Sequence, residues 1–331
     1  MELIKTDGTS ERQLFQTLRS RSREVDRKVT AAVSEILEAV RERGDAAVRA
    51  YTLQFDGQCP EAFEVEREAI NDALTQADPA FVEALLSAQE NIAAFHNRQK
   101  QQSFIDTQPN GVIMGQRVRG LARVGLYVPG GTAAYPSSVL MNCVPAKIAG
   151  VGEIIMVTPP QKDGTANPDI LVAAAIAGVD RVFLAGGAQA VAAMAYGTET
   201  FPKVDKIVGP GNLYVATAKR LLYGTVDIDM VAGPSEILIL ADDTANPIYL
   251  AADLMSQAEH DVLASAILLT TSQRIAQETR AELERQLEGL SRRQIIQQSL
   301  GNYGAILVCR SIQEVVGLAD ELAPGHLGVM L

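Results

Sequence analysis

The chain has 331 residues, 47% hydrophobic and 21% charged, with a formal net charge of −11. That apolar content supports a sizeable core, in two domains or in one large α/β unit, while the acidic balance argues against nucleic acid or an anionic membrane as the main partner. Three widely spaced cysteines (Cys59, Cys143, Cys309) fit neither a disulfide framework nor a zinc ribbon, the start MELIKTDGTSERQ lacks signal-peptide character, and no apolar run approaches membrane-spanning length, so a soluble cytoplasmic protein is expected.

From Ser10 to about Gln99 apolar residues recur at helical spacing: Leu14 and Leu18, then Val29, Val33, Ile36, Leu37 and Val40, with the same period over 80–95. His96, in this stretch, reads as a surface or capping histidine. Residues 111–118 (GVIMGQRV) read as a strand.

From Gly125 short strands (126–128, 154–158, 182–184, 206–208) alternate with helices (about 137–150, 169–177, to 197, to about 223). Three joints are glycine-rich: Pro129-Gly130-Gly131-Thr132, Ala185-Gly186-Gly187-Ala188-Gln189 and Gly209-Pro210-Gly211-Asn212. Repeated βα units of this kind imply an α/β fold with a parallel sheet and helices on both faces. Ligands of such sheets bind at the carboxyl ends of strands, which is where these joints fall.

The remainder repeats the style. A turn over 232–235 leads into a strand (237–241) and a helix opened by Asn246-Pro247, an N-cap residue followed by proline at the first helical position. That helix runs to 256–261. A strand (264–270), a helix (about 272–290), a strand (305–309) and a helix (312–322) follow, and the final apolar run, with His326 at its start, reads as a strand cut short at Leu331.

No glycine joint is a G-x-G-x-x-G fingerprint, and no phosphate loop is present. Each joint alone is an ordinary turn; three at the strand ends of one sheet point to a nucleotide or phosphorylated ligand. Tyr127, Gln189 and Asn212 are the groups there that could stack on a flat ring or read an amide or hydroxyl. Gln257 and His260, three apart, share a helix face and read either as half of a four-coordinate metal site or as a polar helix end capping its own carbonyls. Cys143 sits among apolar neighbours as a small buried hydrophobe, with a nucleophile as the alternative. His326, after Pro324-Gly325, is an exposed loop histidine or a general base.

Taken together, GLYVPGG (125–131), LMNCVPAKIAGV (140–151), GGAQAVAAMAYGTE (186–199), KVDKIVGPGNLYV (203–215), AGPSEILILAD (232–242), DLMSQAEHD (253–261) and ELAPGHL (321–327) resemble histidinol dehydrogenase. The resemblance implies a zinc-containing, NAD-dependent homodimer that oxidises L-histidinol through the aldehyde to L-histidine. It also implies two similar parallel-sheet α/β domains of aldehyde-dehydrogenase-like architecture with an N-terminal helical segment. The expected division is 1–124, an N-terminal helical region and the first part of domain 1; 125–234, an NAD-binding-type domain 2; and 235–331, the remainder of domain 1 on the zinc and substrate side. By matching motif, Tyr127, Gln189 and Asn212 resemble NAD contacts, and Gln257 and His260 resemble zinc ligands that also meet substrate. Ser235 resembles a substrate contact, and His326 the catalytic base that also binds substrate. Two departures stand out: Gly325 replaces the family's Glu before that histidine, and Gly328 replaces a later acidic residue. The family pattern continues beyond Leu331 with an Asp and a His for the zinc shell, a substrate-binding Glu and a tail that swaps into the partner. The expected zinc shell is therefore incomplete and the expected activity impaired. The alternatives are a non-catalytic NAD-binding or dimerising remnant, and an aldehyde-dehydrogenase-like enzyme using Cys143.

Overall fold

The computed structural model describes residues 1–20, 23–130, 134–231 and 233–331. Gly131 and Thr132 of the first glycine joint, and Ala232 of the turn before Ser235, lie outside the described residues. The chain forms two units, one of Met1–Arg27 with Gly233–Leu331 and one of Lys28–Ala232.

In chain order the first unit contributes β1 (Glu2–Lys5) and α1 (Ser10–Ser20), and the boundary falls inside α2 (Arg23–Arg43). The second unit continues with α3 (Asp45–Asp56), α4 (Arg67–Gln76), α5 (Pro79–Asn97), β2 (Phe104–Thr107) and β3 (Ile113–Gln116). Next come β4 (Arg123–Tyr127), α6 (Pro136–Ile148), β5 (Glu153–Thr158), α7 (Pro168–Ala177) and β6 (Arg181–Leu184). It closes with α8 (Gly187–Tyr196), β7 (Lys206–Val208), α9 (Leu213–Leu222) and β8 (Asp227–Ile228). The first unit resumes with β9 (Glu236–Ala241), α10 (Pro247–Ala258), β10 (Ser265–Thr270) and α11 (Gln273–Leu287). It ends with α12 (Arg293–Tyr303), β11 (Gly304–Val308), α13 (Ile312–Leu322) and β12 (Leu327–Met330).

Each unit is built on a five-stranded parallel sheet, in the order β6-β5-β4-β7-β8 in the second and β1-β11-β10-β9-β12 in the first. Both wind alike. The first strand of each run (β4, β9) is interior, the next two lie to one side, and the fourth (β7, β12) crosses to the other. In the second unit this reversal opens a crevice at the carboxyl ends of β4 and β7, the topological switch point. A parallel sheet must be covered on both faces, and the strands accordingly read as unbroken apolar runs such as ILILA in β9 and AILLT in β10. In the second unit Val33, Val48, Val191 and Val215 cover one face with Val157 and Ile207, while Ile70, Leu140, Ile170 and Val172 cover the other with Leu126 and Met156. In the first, Leu250, Leu254, Ile275 and Ile296 pack with Ile239 and Leu268, and Phe15, Leu18 and Val315 with Leu240 and Ile267.

Local signals set the helix starts. The side-chain oxygens of Asn167, Asn212 and Asn246 accept hydrogen bonds from first-turn N–H groups of α7, α9 and α10, and proline stands at the first helical turn of α7 and α10.

Two expectations are revised, the domain boundaries and the end of α10, and other elements are added. The domain boundaries fall at 27/28 and 232/233 rather than at 124/125 and 234/235: α2 to α5 bury Val33, Val40, Ile70 and Leu85 with the second unit's sheet and helices, so residues 28–124 do not belong to the first unit. The strand expected over 111–118 is present as β3, half of an antiparallel ribbon with β2, registered Ile105 to Gly115. β1 and α12 were not anticipated; β1 pairs with β11, Leu3 opposite Ile306, a contact too distant in sequence to leave a local pattern. Finally, α10 ends at Ala258, so His260 lies in the turn after the helix, its N–H donating to the carbonyl of Gln257 at 3.2 Å.

Candidate functional site

At the carboxyl ends of the second unit's strands the glycine joints open into a cavity of about 1460 Å³. Tyr127, Gly130, Gly187, Gln189 and Asn212 line it, with Asp56 and Tyr51 from α3. Gln189 is 1% exposed, in the first turn of α8 among Ala188, Ala190 and Val191. Neither atom of its amide has a hydrogen-bond partner among the described residues. An unpaired buried amide costs about 1–3 kcal/mol, and buried polar groups almost always have partners; this one turns both a donor and an acceptor to the cavity wall. The backbone is shaped to admit it: Gly187 has φ +63°, and a Cβ there would stand 2.5 Å from Gln189 Oε1.

Tyr127 does not offer a stacking face. Its ring is buried, its hydroxyl accepts from Gly187 N–H at 3.0 Å, and burial pushes its phenol up to about 12, keeping it neutral. Asn212 is exposed, and its side-chain oxygen accepts from Tyr214 N–H at 3.0 Å and Val215 N–H at 3.1 Å, which leaves its NH₂ for a ligand. The joint carrying it is braced from beneath. Buried Lys219 pairs with Asp229 and donates to Gly209 O at 3.0 Å, and Asp229 Oδ2 accepts from Gly209 N–H at 2.8 Å. Helix N-termini of α8 and α9 at such joints favour anions.

The residues expected on the substrate side all lie in the first unit, toward the amino edge of its sheet. Ser235 precedes β9, and its carbonyl accepts from Ser265 N–H at the start of β10. His326 precedes β12, and its carbonyl accepts from Leu238 N–H at 3.0 Å. Gln257 and His260 reach the same edge because α10 runs back against the strands. The His326 ring places Nδ1 3.0 Å from the carbonyl oxygen of Glu236. A carbonyl only accepts, so Nδ1 carries a proton, and in the neutral ring Nε2 presents the lone pair. Gly325 N–H donates to Glu236 Oε1 at 2.9 Å. Among the described residues no group of three or more His, Cys, Asp or Glu is arranged to hold a metal ion.

Cys143 is fully buried on α6, its thiol donating to Ala177 O at 3.4 Å, and burial pushes it up to about 12. It is a core residue, and the nucleophile alternative lacks both access and thiolate. His96 is half-buried, its Nδ1 2.7 Å from Gln99 Oε1 near the end of α5. Sequence reading missed Asp56, Lys219 and Glu236. None carries a local signal: Asp56-Gly57 reads as a plain helix end, and Lys219 as one more basic residue in a last turn.

Among the described residues no helix is long and apolar enough to cross a membrane. The family model for histidinol dehydrogenase matches residues 19–331. The chain is 51% identical over 330 residues to a histidinol dehydrogenase of Clostridium acetobutylicum, covering 100% of this chain and 77% of that one. It is 52% identical over 324 residues to one of Listeria innocua, covering 98% and 76%. Among solved structures it is similar to the histidinol dehydrogenase of Elizabethkingia anophelis, with TM-score 0.88 and 36% identity, covering 100% of this chain and 76% of that one.

Proposed function

The chain belongs to the histidinol dehydrogenase family, and from that premise we propose that its second unit holds NAD in the glycine-lined cavity and that its first unit binds L-histidinol at the amino edge of its sheet. The family comprises NAD-dependent oxidoreductases that carry L-histidinol through the aldehyde to L-histidine, in histidine biosynthesis. The observation that carries this reading is the orphaned amide of Gln189, a built donor and acceptor that no group among the described residues satisfies.

Bound NAD supplies the hydride acceptor. Gln189 and the Asn212 NH₂ read its polar groups, and Tyr127 holds Gly187 in place for it. His326 takes the hydroxyl proton at Nε2, because its Nδ1–H is committed to Glu236 O. Ser235, Gln257 and His260 orient the substrate. Gln257 and His260 are the two residues that would contact zinc; with no group of three or more acidic, Cys or His donors arranged for a metal among the described residues, the donor set does not by itself fit a resident ion.

The second oxidation needs water to add to the aldehyde, helped by a carboxylate beside the base. Gly325 supplies only a backbone N–H. A general base contributes about 10² to 10⁴ in rate, so the second step is the weaker one. We place the enzyme in the cytoplasm as a homodimer acting on a small molecule, without nucleic acid or membrane partners. The β2–β3 ribbon supports a covering copy: Ile105 is 80% exposed and Ile113 68%, and an isolated two-stranded ribbon is marginal in water.

The test is NADH formation with L-histidinol and, separately, with L-histidinaldehyde. Turnover of both, with the aldehyde step limiting, is the expected result, along with zinc content below one ion per chain. NAD binding without turnover of either substrate would replace this reading with a non-catalytic NAD-binding protein.

A further inference from the structure

The cavity of the second unit contains a second orphaned group that neither the motifs nor the glycine joints account for. Asp56 is the last residue of α3, and its Oδ2 is buried without a hydrogen-bond partner among the described residues. Three physical terms oppose a carboxylate there. It is half-buried, and burial alone raises its pKa, to about 6, with no cation acting to lower it. It stands at a helix C-terminus, where the dipole disfavours negative charge. No basic residue shares that last turn, and Gly57 closes the helix in the left-handed conformation at φ +76°, its N–H donating to Leu53 O. A side chain held against desolvation, dipole and missing partners marks a site built for a ligand.

Its surroundings say which ligand chemistry fits. Asp56 lines the same cavity as Tyr127, Gln189 and Asn212, close enough to Tyr127 for its charge to act on that phenol. An ionised carboxylate accepts hydrogen bonds and donates none, and its two oxygens match a pair of adjacent donors. In a dinucleotide the paired adjacent donors are the vicinal hydroxyls of a ribose. We propose that Asp56 accepts hydrogen bonds from a ribose diol of the bound dinucleotide. This rests on the reading of the cavity as the NAD site and adds a residue to it, on an element remote in sequence from the glycine joints.

The experiment uses the full chain. NAD is titrated calorimetrically into wild type, Asp56→Asn and Asp56→Ala, and the thermal midpoint of each ligand-free protein is recorded. Loss of a charge-assisted pair of hydrogen bonds should weaken NAD binding about 10- to 100-fold, while the ligand-free midpoints stay level or rise, because an uncompensated charge has been removed. Two NAD analogues, 2′-deoxy on the adenosine or on the nicotinamide ribose, identify the group read. One of them should bind wild type more weakly than NAD does, and its further loss on Asp56→Asn should be smaller than the loss NAD shows. Unchanged NAD affinity in both variants overturns the assignment of Asp56 and leaves the cavity as the NAD site. Affinity lost together with a lowered midpoint, and equally for both analogues, overturns it in favour of a structural role. A wild-type protein that binds no NAD overturns the reading of the cavity itself, and this inference with it.

Discussion

At Gln189 an amide is held among alanines and a valine with neither atom paired among the described residues. Replacing it with leucine removes the desolvation cost and fills the space with apolar atoms. Gln189→Leu should therefore raise ligand-free stability by about 1–2 kcal/mol while weakening NAD binding at least 10-fold; chemical denaturation and NAD titration report the two effects separately. Stability gained as function is lost is the signature of a residue kept for its ligand. Cys143 is the reverse case, a reactive group made inert by burial. Iodoacetamide should leave it unlabelled in the native protein and label it on unfolding, as mass spectrometry can read. At Gly325 a Cβ meets nothing closer than Glu236 Oε1 at 3.7 Å, so Gly325→Glu should fold. It should raise aldehyde oxidation about 10-fold or more, short of a full general-base contribution because its carboxylate shares the neighbourhood of Glu236. An unchanged ratio of the two oxidation rates would remove Gly325 as the cause of the slow step.

At the scale of elements, the ends of helices and strands carry the electrostatics. α13 opens with a capping arrangement: Glu314 N–H donates to Ser311 Oγ at 3.3 Å, and Arg310 N–H donates to Glu314 Oε2 at 2.7 Å. The Arg310 guanidinium, hydrogen-bonded to Glu314, holds that carboxyl down at about 2, against an ordinary 4.5. A depressed folded-state pKa gives stability that is fully present above 4.5 and is lost as pH falls towards 2. The difference in thermal midpoint between wild type and Glu314→Gln should therefore be largest near neutral pH and shrink below pH 4.5. The Lys219 brace works on a loop. It joins α9 to the residue after β8 and holds both the N–H and the carbonyl of Gly209 through one ion pair. Lys219→Met leaves Asp229 without its partner and should cost about 3 kcal/mol. NAD affinity should fall with it, because Asn212 sits three residues beyond the loosened glycine.

Across the whole molecule, each unit has its own sheet and its own core on both faces, and every residue lining the large cavity belongs to 28–232. Hydrogen exchange on the intact chain should localise the ligands accordingly. NAD should protect the joints after β4, β6 and β7 and the end of α3, while L-histidinol should protect the amino edge around Ser235, His260 and His326. NAD-induced protection confined to residues 233–331 would reassign the cofactor.

Sequence alone determined the alternation of strands and helices, the apolar faces and the glycine joints, because these follow from short-range periodicity and turn chemistry. Tyr127, Gln189 and Asn212 could be named for the same reason, standing as they do in or beside those joints. Tertiary structure decided the rest. The pairing of β1 with β11, the packing of residues 28–124 onto the second sheet and the tautomer of His326 all depend on contacts between segments far apart in the chain. So does the isolation of the Gln189 amide and the Asp56 carboxylate, since burial is a property of what the fold brings around a residue and leaves no trace in its neighbours along the chain.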